Sequence, residues 1–359
     1  MDLKQVFYRF VEVGSPSGYE EPMITAFMNE LRPYVDEVYD SPRGNVIAIQ
    51  HGSDPKAPKV ALAAHMDQVG FVVHNIDNMG FIRFRRIGGA VSKAIQCQHV
   101  RFITEKGPVV GVVGVKPGHV TSPQEAKTVS AIVDMYIDVG AKNRQEVEDM
   151  GIHIGIPAVI DLKPLELANN QIASPAADDR LGLTALVGVA AALKDIEIAS
   201  TVYYLGTVEE EIGLRGASVV LNDLDVDMAV AVDTFPAGWQ PDVKMRDILY
   251  EVGKGPAVHV GETGGGNIRV IHNPKVRKWI AEAAESENIP IQTGFMHGGT
   301  DASAMAKSKG GIPTVAFGIP RKYSHSPVEV FNMNDLEGLV NTFIAALKSL
   351  DSNFKVNRV

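Results

Sequence analysis

The run Lys59-Val60-Ala61-Leu62-Ala63-Ala64 carries no polar residue after its first position and leads into His65-Met66-Asp67. A strand with one face in water alternates apolar and polar residues. An unbroken apolar run of this length instead means burial on both faces, the habit of strands in a mostly parallel sheet covered by helices. This stretch therefore points to an α/β layer architecture. It also puts a histidine and an aspartate at the carboxyl end of a central strand, where open α/β sheets place their sites. Two other runs have the same form. Thr201-Val202-Tyr203-Tyr204-Leu205-Gly206 leads into Thr207-Val208-Glu209-Glu210-Glu211, and Met228-Ala229-Val230-Ala231-Val232 ends on Asp233.

Helical periodicity surrounds these runs. Residues 3–13 place Leu3, Val6, Phe7, Phe10 and Val11 on one face. Ser17 is read as the N-cap of a second helix, with Glu20 three residues on and Met23, Phe27 and Leu31 along its apolar stripe. Strands are expected at 35–39 and 45–50, and helices at 181–193, 214–221, 274–288 and 334–350. A strand is expected at 312–317, and the Gly-rich stretch 253–267 reads as loop. Between about 69 and 165 the texture changes. Short β-type runs (69–76, 80–85, 100–104, 108–115, 129–138) alternate with Gly, Pro and Asn, and only 144–150 looks helical. The expected organisation is a three-layer α/β catalytic domain, its mostly parallel mixed sheet lying between helices. It is formed by residues 1–68 and 166–359 and interrupted by a small all-β domain at 69–165.

Bulk properties exclude several classes. The 359 residues leave room for about two domains, and a formal net charge of −9 with no long basic run argues against nucleic acid or an anionic membrane as partner. The one cysteine, Cys97, rules out an intrachain disulfide and is expected to be a small packed side chain. Met1-Asp2-Leu3-Lys4-Gln5 lacks the basic-then-apolar plan of a signal peptide, and no apolar run approaches the roughly 20 residues that span a bilayer. The expectation is a cytoplasmic protein.

The candidate chemistry lies in His65, Asp178, Glu210, Glu211, Asp233 and His325. Each has an ordinary explanation alone: a strand-end histidine, a helix N-cap, a solvated acidic turn, a turn histidine. Together they gather imidazoles and carboxylates on one rim of one sheet. Such a set suits Zn²⁺, Co²⁺ or Mn²⁺, and it exceeds what one three-ligand catalytic zinc needs. Two ions sharing a carboxylate, with a further carboxylate left as base, account for the number. Asp67, two residues after His65, projects on the same side and is able to accept the other imidazole N–H. His297 heads a Gly-rich turn and is a further candidate for the pocket wall. The chain has no G-x-S-x-G elbow, no G-x-x-x-x-G-K-[ST] phosphate loop and no H-E-x-x-H.

These motifs resemble those of the M42 metallo-aminopeptidases, the glutamyl and deblocking aminopeptidases of the tetrahedral type. The likeness spans nearly the whole chain. It runs through Ser17-Gly18-Tyr19-Glu20, Ala64-His65-Met66-Asp67, Tyr136-Ile137-Asp138-Val139-Gly140-Ala141 and Asp178-Asp179-Arg180. It continues through Glu210-Glu211-Ile212-Gly213-Leu214-Arg215-Gly216-Ala217, Gly298-Gly299-Thr300-Asp301-Ala302 and His325-Ser326-Pro327-Val328-Glu329. The resemblance implies two divalent ions per subunit, zinc or cobalt with manganese also admitted. Asp178 would bridge them, His65 and Asp233 would serve one, and Glu211 and His325 the other. It makes Glu210 the general base and Asp67 its supporting catalytic residue. It implies peptide substrates, and a β-rich insert that forms dimers which assemble into a homododecamer. Gln68 and Glu209 depart from the family's usual Glu and Gln at those places. The alternatives are an endoglucanase-type glycoside hydrolase working through paired carboxylates, which leaves both histidines idle, a related metal-dependent deacylase or dipeptidase, and a scaffold that keeps only the fold.

Overall fold

A computed structural model describes residues 1–244 and 246–357. Its main sheet runs in the order Glu37–Asp40, Val46–Gln50, Val202–Thr207, Val60–His65, Met228–Ala231, Thr314–Arg321, Ala257–Gly264, Asn267–Ile271. The central members, Val202–Thr207 through Thr314–Arg321, are parallel, and the flanking pairs are mainly antiparallel. Side chains alternate across the sheet as the pleat requires. Val60, Leu62 and Ala64 face one apolar cluster with helices Leu3–Glu12, Glu21–Leu31, Ala177–Leu193, Pro274–Ser286 and Met333–Ser349. Ala61 and Ala63 face a second, with the short helices Ala217–Val220 and Asp301–Met305. Burial on both faces is what the unbroken apolar runs demanded.

The β-rich stretch closes into a barrel of Gly70–Ile76, Ile82–Ile87, Ile137–Asp138, Gly107–Val113, His99–Thr104 and Pro157–Ile160. It has its own core around Phe71, Phe84, Val100, Phe102 and Ile137. Closure runs through the short Ile137–Asp138, which pairs Ile82 on one side and Val112 and Val113 on the other. A third, small sheet joins Leu165–Glu166, Gln171–Ser174 and Glu329–Asn332. It sets Glu329 opposite Ser174, close to the start of the long helix Ala177–Leu193.

Several expectations are corrected. Residues 253–267 are not a loop: Ala257–Gly264 and Asn267–Ile271 form a hairpin, with Gly264 opposite Asn267. Gly265 and Gly266 turn it with φ of +60° and +82°, the left-handed values that a two-residue hairpin loop needs and that only glycine adopts freely. Ser17 does not cap the second helix; Glu20 holds that position, and the Ser17 hydroxyl donates instead to Asp67. Of the run 129–138 only Ile137–Asp138 pairs as strand, because Val129 and Val133 face solvent. Cys97 is exposed rather than packed. Gln292–His297 is a strand parallel to Ala257–Gly264, a pairing across a helix that has no local signature.

Candidate metal centre

Strand register decides where the side chains stand. His65 lies beside Thr207, and Ala231, two residues before Asp233, lies beside Ala63. His65, the Glu209–Glu211 turn and Asp233 therefore leave the sheet side by side at its carboxyl edge. Asp178 comes from the start of Ala177–Leu193, where Asp178 and Asp179 are not yet helical. Asp179 caps the helix, its Oδ1 accepting from Gly182 N at 2.9 Å, which leaves the Asp178 carboxylate free for other partners.

The result is two overlapping clusters. His65, Asp178 and Asp233 offer ligand-type atoms within 4.8 Å of one another, and so do Asp178, Glu211 and His325. Asp178 belongs to both. Its Oδ1 lies 3.0 Å from His65 Nε2, and its Oδ2 lies 3.3 Å from His325 Nε2. Glu211 Oε1 is 3.5 Å from the same His325 nitrogen and, though buried, has no hydrogen-bond partner.

Asp67 sits behind this group with no exposed surface. Its Oδ1 accepts from Glu210 N at 2.9 Å, and its Oδ2 accepts from Glu211 N at 3.1 Å and from Ser17 Oγ at 2.6 Å. The carboxylate thus pins the backbone turn that carries Glu210 and Glu211. His65 Nδ1 donates to the Asp67 carbonyl at 3.1 Å, with Asp67 Oδ1 at 3.4 Å, so the residue also steadies the imidazole. Glu20 Oε1 accepts from Gly18 N and from Glu209 N, tying the same turn to the N-terminal segment. Glu209, at φ +55°, swings out to Arg43 and Arg215. Gln68 accepts from the buried guanidinium of Arg180 at 2.8 Å. His297 lies elsewhere, its Nε2 donating to the Asp247 carbonyl at 2.7 Å.

Arg321 and Glu329 complete the frame. The buried Arg321 guanidinium donates through Nη2 to Asp178 Oδ2 and through Nε, at 2.9 Å, to Glu329 Oε1. Glu329 also accepts from Asp178 N at 3.1 Å and from His325 N at 2.7 Å. Motif reading alone gave Arg321 no role. Its one signal is a full charge at the end of an otherwise apolar run, four residues before His325.

The electrostatics follow from burial and neighbours. Burial works to raise the Asp178 carboxyl, but Arg321, His325 and His65 hold it well below the usual range. Burial raises Asp233 strongly, and Asp178 adds to it. Burial and Asp178 push Glu211 up to about 7. Burial works to lower His325, yet Asp178 and Glu211 hold it up at about 9. Carboxylates pushed up this way are under-compensated for charge, the condition that a bound cation relieves.

The fold and this rim of imidazoles and carboxylates are those of a peptide-bond hydrolase of the aminopeptidase class. Residues 44–341 match the model of the M42 glutamyl aminopeptidases, and the chain belongs to that family. It is similar to the lysyl aminopeptidase of Pyrococcus furiosus, at 37% identity over 96% of this chain and 97% of that protein. Among solved structures it is similar to aminopeptidase APDkam598 of the archaeon Desulfurococcus kamchatkensis, with a TM-score of 0.91 and 33% identity, covering 98% of this chain and 96% of that one. It is also similar to the TET1 peptidase of Pyrococcus horikoshii, described as assembling into a tetrahedron or a large octahedral shell. The TM-score there is 0.85, with 31% identity over 97% of this chain and 100% of that one. No helix among the described residues is long and apolar enough to cross a membrane.

Proposed function

We propose that the chain is a dinuclear metal-dependent aminopeptidase with Glu210 as general base. The observation that carries this reading is the pair of three-residue clusters sharing Asp178, with Glu210 next to Glu211 on a turn held by Asp67. His65, Asp178 and Asp233 would hold one ion, and Asp178, Glu211 and His325 the other. The donors fit: imidazole nitrogens with carboxylate oxygens suit Zn²⁺, Co²⁺ or Mn²⁺, and the unpartnered Glu211 Oε1 is an acceptor that a cation satisfies. When bound, such ions supply Lewis-acid polarisation of the scissile carbonyl and lower the pKa of water.

Glu210 takes the proton from the attacking water and delivers it to the leaving amine. In the chain alone, burial raises the Glu210 carboxyl well above its usual range, and Asp233, Asp301 and Glu211 add to the effect, offset in part by His65. Cations held at the neighbouring clusters would pull the other way and favour the ionised base. Asp67 acts through others: it orients the turn bearing Glu210 and the ring of His65. Arg321 and Glu329 hold Asp178 and the His325 backbone in place.

The same reading divides the chain into a catalytic domain (1–68 and 166–359) and an inserted barrel domain (69–165) that forms dimers. Peptides are the substrates, and the dimers build a homo-oligomer of the dodecameric kind. Light scattering that finds only monomers at micromolar concentration would refute the assembly. The activity is tested with a panel of aminoacyl-nitroanilides on chelator-stripped protein given Co²⁺, Zn²⁺ or Mn²⁺ in turn. Hydrolysis restored by metal is expected. Chelator-insensitive cleavage of a β-glucan with no nitroanilide turnover would support the glycoside-hydrolase alternative instead.

A further inference from the structure

A barrel loop, Gly88-Gly89-Ala90-Val91, between the strand Ile82–Ile87 and the turn Ser92–Ala94, reaches the candidate metal centre. Two contacts join it to His325. Val91 N donates to the His325 carbonyl at 3.1 Å. The Gly89 backbone meets the Nδ1 edge of the imidazole: a Cβ built there would stand 2.7 Å from His325 Nδ1 and 3.1 Å from Cε1. Gly88, at φ +72°, approaches Glu211 in the same way, its Cβ direction ending 3.3 Å from the Glu211 Cβ. Arg86 Nη1 fixes the loop by donating to the Ala90 carbonyl at 2.7 Å. On its other side the His325 backbone is held by Glu329, so the ring is free to move only about its own side-chain bonds.

We propose that this barrel loop is a positioning element for His325: Gly89 sets how far back the imidazole sits, and the Val91 N–H holds its backbone. The proposal rests on the reading of Glu211 and His325 as ligands given above. A methyl group at residue 89 must push the ring from 2.7 Å out to an ordinary contact near 3.5 Å, a shift of about 0.8 Å. The ring is the soft part of that contact, so the fold survives and the site gives way. Metal–nitrogen distances tolerate only about 0.2 Å. A residue of the inserted barrel thereby acts first on the cluster that contains His325, and reaches the other only through the shared Asp178.

The test is Co²⁺ titration by calorimetry into chelator-stripped protein, with cobalt absorbance as a second readout. Wild type, Gly89→Ala, Val91→Pro, His325→Ala and, as control, Gly118→Ala are compared. Val91 has φ −70°, which proline adopts, so Val91→Pro keeps the backbone angle; it removes the N–H and sets the ring Cδ against the His325 carbonyl, and both changes act on the His325 backbone. A Cβ on Gly118, also in the barrel segment, meets nothing within 4 Å. Gly89→Ala should weaken one of the two Co²⁺ ions at least tenfold and keep the other. Val91→Pro should weaken the same ion several-fold, and Gly118→Ala should match wild type. If His325→Ala loses that ion while Gly89→Ala binds both as wild type does, the positioning role is refuted and the ligand reading stands. If His325→Ala keeps both ions at full affinity, the ligand reading falls and takes the proposal with it. Should Gly89→Ala fail to fold, wild-type affinities in Val91→Pro overturn the proposal by themselves.

Discussion

Asp67→Asn separates the two ways in which Asp67 serves the site. The aspartate presents two acceptor oxygens to three donors, Glu210 N, Glu211 N and Ser17 Oγ, in a place with no exposed surface. Asparagine offers one oxygen and an NH₂. Whichever way it is turned, one of the two backbone N–H groups then faces another donor. The serine hydroxyl adapts by rotating and accepting; a backbone N–H has no such freedom. An orphaned buried donor costs about 1–3 kcal/mol. At roughly 2.1 cal/mol/K per residue, a chain of 359 residues has an unfolding entropy near 0.75 kcal/mol/K, so a loss of about 2 kcal/mol lowers Tm by about 3 °C. The larger effect is on turnover. The turn carries the base, and a displacement of about 1 Å at a reacting group costs about 10²-fold. Thermal unfolding and kcat on a nitroanilide substrate measure both. Ser17→Ala removes one donor from Asp67 without orphaning an N–H and should cost about 1 kcal/mol with a much smaller loss of kcat. An Asp67→Asn variant with Tm within 1 °C and kcat within threefold of wild type would refute the role given to this carboxylate.

Glu210→Gln should take up metal as wild type does, by elemental analysis, and lose about 10²–10⁴-fold in kcat, whereas Asp178→Ala, which removes the side chain common to both clusters, should come out depleted of metal. Near wild-type turnover in the first or full metal in the second would contradict the roles proposed for them. Acid stability should depend on His272, which is buried with neither ring nitrogen hydrogen-bonded and is pushed down to about 4 by burial and by Arg277. A histidine depressed below its unfolded value of about 6.5 contributes stability that is complete above pH 6.5 and is lost as pH falls toward 4, here about 3 kcal/mol. Tm followed from pH 7 to 4 should therefore fall more steeply in wild type than in His272→Phe; parallel curves would show that this histidine is not held neutral by the fold.

Much of the architecture is written locally. The run 60–64, with no polar interruption, specifies a strand buried on both faces, and the same holds for 202–206 and 228–232. Because each such run leads directly into His65, the Glu209–Glu211 turn or Asp233, the chemistry of one sheet edge is legible before any contact is known. The hairpin at 257–271 was not legible. Three successive glycines there suggest a loop, and only the pairing of Gly264 with Asn267 reveals that two of them form a tight turn. Ser17 is ambiguous for a similar reason, since a serine at the start of a helix looks the same whether its hydroxyl caps that helix or bonds to Asp67.

What the sequence by itself determined is therefore periodicity, burial and the order of elements, together with which residue types stand at strand ends. These depend on neighbours within a few positions. Motif resemblance implies that Asp178 and His65, 113 residues apart, share a site, but only the tertiary structure decided how they meet, that Arg321 and Glu329 frame Asp178, and that a barrel loop lies against His325. Such distances are set by strand register and by how a closed barrel seats on an open sheet. No stretch of chain carries that information until both have folded.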